Sequence, residues 1–210
     1  MDLEIINLKK SFYRHLILNS VSITLKSGMT FGLMGPNGSG KTTLLKCISG
    51  ISSIDSGTIR IGSEVVSSFN KNSRKKIYFI GHGNGLYSHL TAYENMKFLA
   101  EIYKIESNIN SVIKEIGLGN VSSKTIGLYS QGMLQKLKLA GCALVSADVI
   151  LLDEPLTGLD KDGKEYFLKL LKKWQKEKKT ILISSHDINF IQQHTNSILK
   201  IKNGTINKLD

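Results

Sequence analysis

The chain has 210 residues and a formal net charge of +11, with 41% hydrophobic and 21% charged residues. That composition is typical of a globular chain with one sizeable core, and it excludes a disordered protein. No apolar run reaches the length of about 18 residues that a transmembrane helix needs, so we expect no membrane-spanning segment. The first residues also lack the basic start and apolar stretch of a signal peptide.

The positive charge comes almost entirely from lysine, since only three of the 28 basic residues are arginine. Proteins that read nucleic acids rely on arginine for base edges and stacking. Scattered lysines without interleaved aromatics therefore indicate a solvated surface, and we expect no nucleic-acid partner; attraction to an anionic membrane face stays open. The two cysteines, Cys47 and Cys142, are expected to be buried free thiols.

The hydrophobic periodicity predicts strands that alternate with helices. The expected strands are 3–8, 16–18 with 21–25, 29–34, 58–62, 77–80, 149–152, 180–184 and a closing hairpin over 197–206. The expected helices begin near Lys41 and Thr91 and continue with 112–116, 134–144, 163–179 and 188–194. Thr91 and Glu94 form a capping-box pair, and the apolar face after them is expected to comprise Tyr93, Met96, Phe98, Leu99 and Ile102.

The stretch from Gly35 to Thr42 fits the phosphate-binding pattern G-x-x-x-x-G-K-[ST], with a predicted strand before it and a predicted helix after it. Its glycines let backbone N–H groups turn toward phosphate oxygens, and the helix N-terminus points its dipole at the same place. We expect Lys41 to contact the β- and γ-phosphates and Thr42 to be a Mg²⁺ ligand. The residues expected to bind nucleotide here are Gly35, Pro36, Asn37, Gly38, Ser39, Gly40, Lys41, Thr42 and Thr43.

A second constellation lies at the end of the apolar run 149–152, which is typical of a central parallel strand. Two carboxylates, Asp153 and Glu154, follow it directly. Because a phosphate-binding loop precedes them in the chain, we expect Asp153 to hold Mg²⁺ and Glu154 to act as general base on the attacking water. The alternative is that Glu154 is only an acidic cap on the next helix.

The order of these motifs resembles the nucleotide-binding subunit of ABC transporters over nearly the whole chain. Residues 129–133 are similar to the signature loop of that family: Ser130 and Gly132 match, whereas Tyr129 and Met133 depart from the common form as in exporter-type cassettes. The resemblance implies that Ser130 and Gly132 contact the γ-phosphate held by a second copy. It also implies roles for three further residues, namely Asp160 at the dimer seam, His186 as the switch histidine and Phe12 as the adenine-stacking aromatic, with Tyr13 as the next choice.

The family implies an α/β fold with a RecA-like P-loop core, an N-terminal antiparallel β layer and an inserted helical subdomain. On that basis one ABC cassette covers 1–210, with the core in 1–83 and 147–210 and the helical subdomain in 84–146. The implied cofactors are ATP and Mg²⁺. The implied partners are a second copy of the chain on ATP binding and integral membrane permease subunits, at the cytoplasmic face of the inner (cell) membrane.

One position departs from the family, because His82 stands where a glutamine is usual. Two readings stay open: His82 replaces the glutamine near Mg²⁺, or it is a polar loop residue and only Thr42 and Asp153 hold the ion. The stretches 80–85, 90–95 and 159–163 resemble the subfamily that exports or handles haem in cytochrome c maturation.

Other classes of protein fit the sequence less well. A soluble ABC ATPase of DNA repair or translation usually has two cassettes or a long coiled-coil insertion, and this chain has neither. A small-molecule kinase has no need of Ser130, Gly132 and His186, and a pure binding switch would bind ATP without turnover. The final residues 207–210 spell a guanine-reading pattern, but no strand–helix context surrounds it.

Overall fold

The computed structural model of the chain describes residues 1–67, 70–81, 83 and 85–209. Its ten strands are β1 (Leu3–Phe12), β2 (His15–Leu25), β3 (Thr30–Met34), β4 (Ser56–Ile61), β5 (Glu64–Val65), β6 (Ile77–Ile80), β7 (Val149–Asp153), β8 (Thr180–Ser184), β9 (Ser197–Lys202) and β10 (Thr205–Leu209). Its seven α-helices are α1 (Lys41–Ile48), α2 (Lys71–Lys75), α3 (Ala92–Tyr103), α4 (Ile109–Glu115), α5 (Gln131–Leu144), α6 (Lys161–Lys176) and α7 (Ile188–His194). Single 3₁₀ turns lie at Gly119–Val121 and Ile126–Leu128.

The strands form two sheets. The first is antiparallel and has the order β2-β1-β4-β5. The second has the order β10-β9-β3-β8-β7-β6, with β3 parallel to both β8 and β9, and β7 parallel to β8. Parallel neighbours present their carboxyl ends at one edge, so the residues that follow β3, β7 and β8 meet there.

Burial explains which strands lie in the centre of this second sheet. Every residue of β7 and β8 is buried, as expected for strands covered on both faces. In the register of this pair, Asp153 faces Ser184 at the last position of both strands. Two polar side chains thus meet at the end of an otherwise apolar pair, and that juxtaposition defines the candidate site.

The chain divides into two compact units. The first, called the P-loop unit, comprises Met1–Phe79, Ala147–Pro155 and Trp174–Asp210. Its core is built of apolar residues from both sheets and from α1, among them Leu3, Leu33 and Leu45. The second, called the helical unit, comprises Ile80–Ser146 and Leu156–Lys173, and its core includes Met96, Ile113 and Leu137.

The prediction for the apolar face of α3 is wrong in part. Tyr93, Phe98 and Ile102 are exposed, with 39%, 41% and 47% of their surfaces accessible. The buried residues of α3 are Ala92, Asn95, Met96 and Ala100. Since positions four apart share a helix face, the stripe formed by 92, 96 and 100 excludes these three large side chains. The capping box between Thr91 and Glu94 is confirmed.

Smaller differences concern element bounds and two short elements. Helix α6 begins at Lys161 and ends at Lys176, two and three residues earlier than the periodicity predicts. The periodicity missed β5 and α2, which are too short to show a repeating pattern. Cys47 and Cys142 are buried and free, as expected.

Candidate functional site

The phosphate-binding loop joins β3 to α1, which is the strand–loop–helix context that its pattern requires. Gly40 is the N-cap of α1 and has a φ of 102°, a conformation that favours glycine. A Cβ on Gly40 would also lie 3.1 Å from Ile17 Cγ2 of the antiparallel sheet. The glycine therefore serves both the turn and the close packing of β2 against the loop.

Lys41 is held inside this loop. Its side chain is buried, and Nζ donates hydrogen bonds to the carbonyl oxygens of Gly35 at 2.7 Å and Pro36 at 3.2 Å. Both acceptors belong to the loop itself. The ammonium group is thus held by the same loop whose sequence pattern is typical of phosphate binding.

A chain of short hydrogen bonds links the loop to the strand ends. Thr42 Oγ1 donates to Asp153 Oδ2 at 2.6 Å. Ser184 Oγ donates to the other carboxylate oxygen, Asp153 Oδ1, also at 2.6 Å. Thr42 and Asp153 were predicted from sequence as a pair, and the structure brings them into direct contact although 111 residues separate them.

Glu154 adopts a strained backbone conformation, with a φ of 52°. A left-handed conformation costs a residue with a Cβ about 1–2 kcal/mol. Its N–H donates to both the carbonyl oxygen and the hydroxyl of Ser184, at 3.2 and 3.1 Å. Because this conformation is not that of a helix N-cap, the alternative of Glu154 as an acidic cap is not what the structure shows.

The Glu154 carboxylate faces His186 within the P-loop unit. Oε1 lies 3.2 Å from His186 Nε2, an ion pair when the imidazole is protonated. Among the described residues this buried oxygen has no hydrogen-bond partner. Burial raises the pKa of Glu154 above its ordinary value, while the charges of His186 and Lys41 act in the opposite direction. A partly buried carboxylate that lies beside a histidine and has a raised pKa has the properties of a general base.

The helical unit contains the predicted signature residues. Ser130 is the N-cap of α5, and its hydroxyl accepts a hydrogen bond from Met133 N–H at 3.3 Å. Gly132 lies in the first turn of that helix, against Gly158, and a Cβ on Gly132 would clash with the Gly158 carbonyl oxygen. Glycine at this position therefore permits close contact between the signature loop and the segment that follows Pro155.

Asp160 is the cap of the next helix. Its carboxylate accepts a hydrogen bond from Gly163 N–H at 2.8 Å and forms an ion pair with Lys136 Nζ at 2.9 Å. The hydrogen bond from Lys136 is the main cause that lowers the pKa of Asp160. This carboxylate thus fastens α6 to α5 inside the helical unit.

The structure also describes the two candidates for the adenine-stacking aromatic, Phe12 and Tyr13. Phe12 is the last residue of β1, its ring is exposed, and Lys10 Nζ lies 5.0 Å from the ring centroid. Tyr13, the second choice, is fully exposed and has a φ of 54°. His82 lies outside the described residues.

Sequence reasoning missed Ser184 and Lys136. Ser184 ends an apolar strand and is followed by Ser185, so the pattern indicates a polar strand end without telling which serine faces the carboxylates. The Ser185 hydroxyl accepts from Asp187 N–H instead. Lys136 could not be told apart from the many other lysines of the chain.

The model of the ABC transporter family matches residues 18–157. The chain belongs to the ABC transporter family. This ABC cassette is 35% identical over 206 residues to the lantibiotic transport ATP-binding protein SrtF of Streptococcus pyogenes. The alignment covers 97% of the chain and 88% of that protein. It is 31% identical over 195 residues to the ABC transporter ATP-binding protein NatA of Bacillus subtilis (strain 168), covering 90% and 79%.

A solved structure supports the same family. It is a dimeric structure of a post-hydrolysis state of an ATP-binding cassette bound to ADP and Pi, with a TM-score of 0.85, 26% identity and coverage of 99% of both chains. The predicted α/β cassette fold is thereby confirmed. The cassette binds ATP, and its enzymatic activity is ATP hydrolysis coupled to transport.

Two further findings concern the kind of transporter and the helices of the chain. The names of these relatives support an ABC transporter subunit and do not point to cytochrome c maturation. Within the part of the chain that the structure describes, no helix combines the length and apolarity needed to cross a membrane.

Proposed function

We propose that this chain is the MgATP-hydrolysing subunit of an export complex, in which two copies drive a membrane permease. The observation that carries the proposal is the hydrogen-bonded chain from Thr42 through Asp153 and Ser184 to Glu154, beside Lys41 and His186. It combines groups that suit phosphate, a divalent cation and an attacking water within one unit.

The oxygen donors of this chain fit Mg²⁺. Thr42 Oγ1 and the Asp153 carboxylate are hard ligands of the kind that this ion prefers, and they already lie in contact. Thr42 and Asp153 would hold the ion, and His82 stays a candidate from the sequence alone. When bound, Mg²⁺ supplies electrostatic stabilisation of charge on the phosphate oxygens.

The protein side chains account for the remaining chemistry. Lys41 exchanges the carbonyls of Gly35 and Pro36 for phosphate oxygens of ATP. Glu154 takes a proton from a water whose oxygen bonds to the γ-phosphorus, while the bond from that phosphorus to the β–γ bridging oxygen breaks. ADP and inorganic phosphate leave, and His186 keeps the Glu154 carboxylate in place at 3.2 Å.

Substitution of the general base tests this assignment. We expect Glu154→Gln to lower the turnover number by about 10²–10⁴-fold, since general-base catalysis contributes that much, and to leave ATP affinity within a few fold. Single-turnover hydrolysis and fluorescent-nucleotide binding measure the two quantities. Asp187→Asn, which alters an exposed carboxylate of the same loop, is the matched control. Rapid hydrolysis by Glu154→Gln would remove Glu154 as the base.

The dimer proposal follows from the helical unit. Ser130 and Gly132 begin a 14-residue helix, so the exposed start of α5 presents N–H groups and a helix dipole suited to a phosphate. Cassettes of this family dimerise and work with permease subunits. We propose that α5 of one copy contacts the γ-phosphate on the P-loop of the other, so that ATP closes the dimer and hydrolysis releases it.

The permease is proposed to bind an exposed apolar patch of the helical unit. We call it the aromatic patch after its two rings, and it consists of Tyr87, Phe98 and Ile102. The rings of Tyr87 and Phe98 meet edge to face at 5.1 Å. Asn95 fixes this patch, because its buried amide accepts from Tyr87 N–H and donates to the carbonyls of Tyr87 and Thr91. Since the family pairs a cassette with permease subunits, we place this one at the cytoplasmic face of the inner (cell) membrane.

A narrower candidate is the exporter of cytochrome c maturation. It is favoured by the sequence of 80–85 and 90–95 alone. Co-purification of the tagged protein from its own membranes in mild detergent, with mass spectrometry, decides between the two. Permeases of the cytochrome c maturation system would support the narrower candidate; another permease would eliminate it and keep the export ATPase. Recovery without any membrane protein would favour a soluble ABC ATPase.

A further inference from the structure

Ser184 has a hydrogen-bond pattern that no other described residue of the site has. Its hydroxyl donates to Asp153 Oδ1 and accepts from the N–H of Glu154. The residue is fully buried at the end of β8, directly opposite Asp153 in the strand register. A serine hydroxyl carries one donor and two acceptor sites, so this arrangement uses its only donor on one carboxylate residue and an acceptor on the next.

The two residues bound by Ser184 have different proposed tasks. Asp153 presents its second oxygen, Oδ2, to Thr42, and those two groups are the proposed Mg²⁺ ligands. Glu154 is the proposed base, and its left-handed backbone persists only where neighbouring groups hold it. Both Ser184 oxygens receive the N–H of Glu154, and they are the acceptors that the described structure provides for it.

We propose that Ser184 is a positioning residue for hydrolysis, whose hydroxyl sets the orientation of the Asp153 carboxylate and the backbone of Glu154 together. This inference rests on the proposed function, since it gives Ser184 a role through Asp153 and Glu154. It predicts that the metal ligand and the base move as one element. Removal of a single oxygen atom then disturbs both, because the Ser184 hydroxyl bonds to both residues.

The test is Ser184→Ala in the full chain, with Ser197→Ala as the matched control. Ser197 is also a buried serine of the second sheet, and its hydroxyl has no hydrogen-bond partner among the described residues. Partners of this kind typically contribute 10–100-fold to metal affinity or activity. We therefore expect Ser184→Ala to lower turnover by about 10–100-fold and Ser197→Ala to remain within about twofold of the parent.

Two readouts separate positioning from a merely structural effect. The first is Mn²⁺ binding to the ADP-loaded protein by electron paramagnetic resonance: half-saturation should rise about tenfold in Ser184→Ala. ADP affinity in EDTA should not change, because the phosphate-binding loop is untouched. The second is the effect of Ser184→Ala in a Glu154→Gln background, which should shrink to less than about threefold if the hydroxyl acts through Glu154.

The outcomes are distinguishable. Wild-type turnover in Ser184→Ala overturns the proposal, and an equal loss in the parent and Glu154→Gln backgrounds overturns the part that concerns Glu154. Unchanged Mn²⁺ half-saturation overturns the part that concerns Asp153. If Glu154→Gln alone keeps rapid hydrolysis, the proposed function fails first; if Glu154→Gln is inactive and Ser184→Ala is not, only this inference fails.

Discussion

Lys136 Nζ lies 2.9 Å from Asp160 Oδ2, so an ion pair joins helix α5, which carries the signature residues, to the start of α6. The same carboxylate caps α6 through Gly163 N–H. The Asp160 side chain thus orders the turn between Gly158 and α6. Gly132 packs against Gly158 at the start of this turn.

Substitution of Asp160 should separate the cap from the ion pair. Asp160→Ala removes both and should lower the free energy of unfolding by about 1 kcal/mol, the usual contribution of an N-cap. Asp160→Asn keeps an acceptor for Gly163 N–H and should lie within about 0.5 kcal/mol of the parent, since an exposed ion pair contributes little. Urea unfolding measures both. Equal losses in the two variants would show that the charge, not the cap, is the stabilising part.

The pH dependence of stability should report the burial of Glu154. Burial raises the pKa of its carboxyl in the folded state, although His186 opposes the shift. The folded state therefore binds this proton more tightly than the unfolded chain, and the resulting stability is lost as pH rises through the folded pKa.

We accordingly expect Glu154→Gln to be more stable than the parent at about pH 8, with a difference that shrinks toward about pH 5. Urea unfolding of the nucleotide-free protein at the two pH values is the measurement. A parent that is more stable than the variant at the higher pH would show that the folded state does not raise the pKa of Glu154. The acidic limb of the turnover profile should likewise lie above the ordinary glutamate value.

Dimer formation should depend on the start of α5. Ser130→Arg places a long side chain at the exposed N-cap of this helix, and we expect it to block the ATP-bound dimer because in the proposed dimer that side chain fills the space next to the partner's nucleotide. Size exclusion with ATP in a Glu154→Gln background gives the measurement. Ser123→Arg, an exposed serine of the same unit, controls for the added charge. A normal dimer in Ser130→Arg would count against ATP bound between two copies.

Permease attachment should depend on the aromatic patch. Phe98→Asp introduces a charge next to Tyr87 and should reduce recovery of the permease in detergent pull-downs by tenfold or more, about 1.4 kcal/mol of binding free energy. ATP binding by the isolated chain should be unaffected. Leu209→Asp, an exposed leucine of β10, is the control. Full recovery with Phe98→Asp would place the permease interface elsewhere.

Much of the candidate site was accessible to sequence reasoning because its chemistry is local. Lys41 and Thr42 follow from eight consecutive residues, and Asp153 with Glu154 from an apolar strand that ends in two carboxylates. The structure brings two of these residues together, since Thr42 Oγ1 donates a hydrogen bond to Asp153 Oδ2; their shared role in binding Mg²⁺ stays a prediction. The roles assigned to Ser130, His186 and Phe12 depend on a bound nucleotide and stay predictions.

The sequence alone determined the family, the strand–loop–helix around Lys41 and the order of the motifs, because each depends on neighbouring residues and their periodicity. Only the tertiary structure decided that Ser184, rather than Ser185, faces Asp153, since that follows from the pairing of β7 with β8 over 31 residues of sequence. It also decided that Phe98 is exposed while Asn95 is buried, because a buried amide is stable where backbone groups satisfy it.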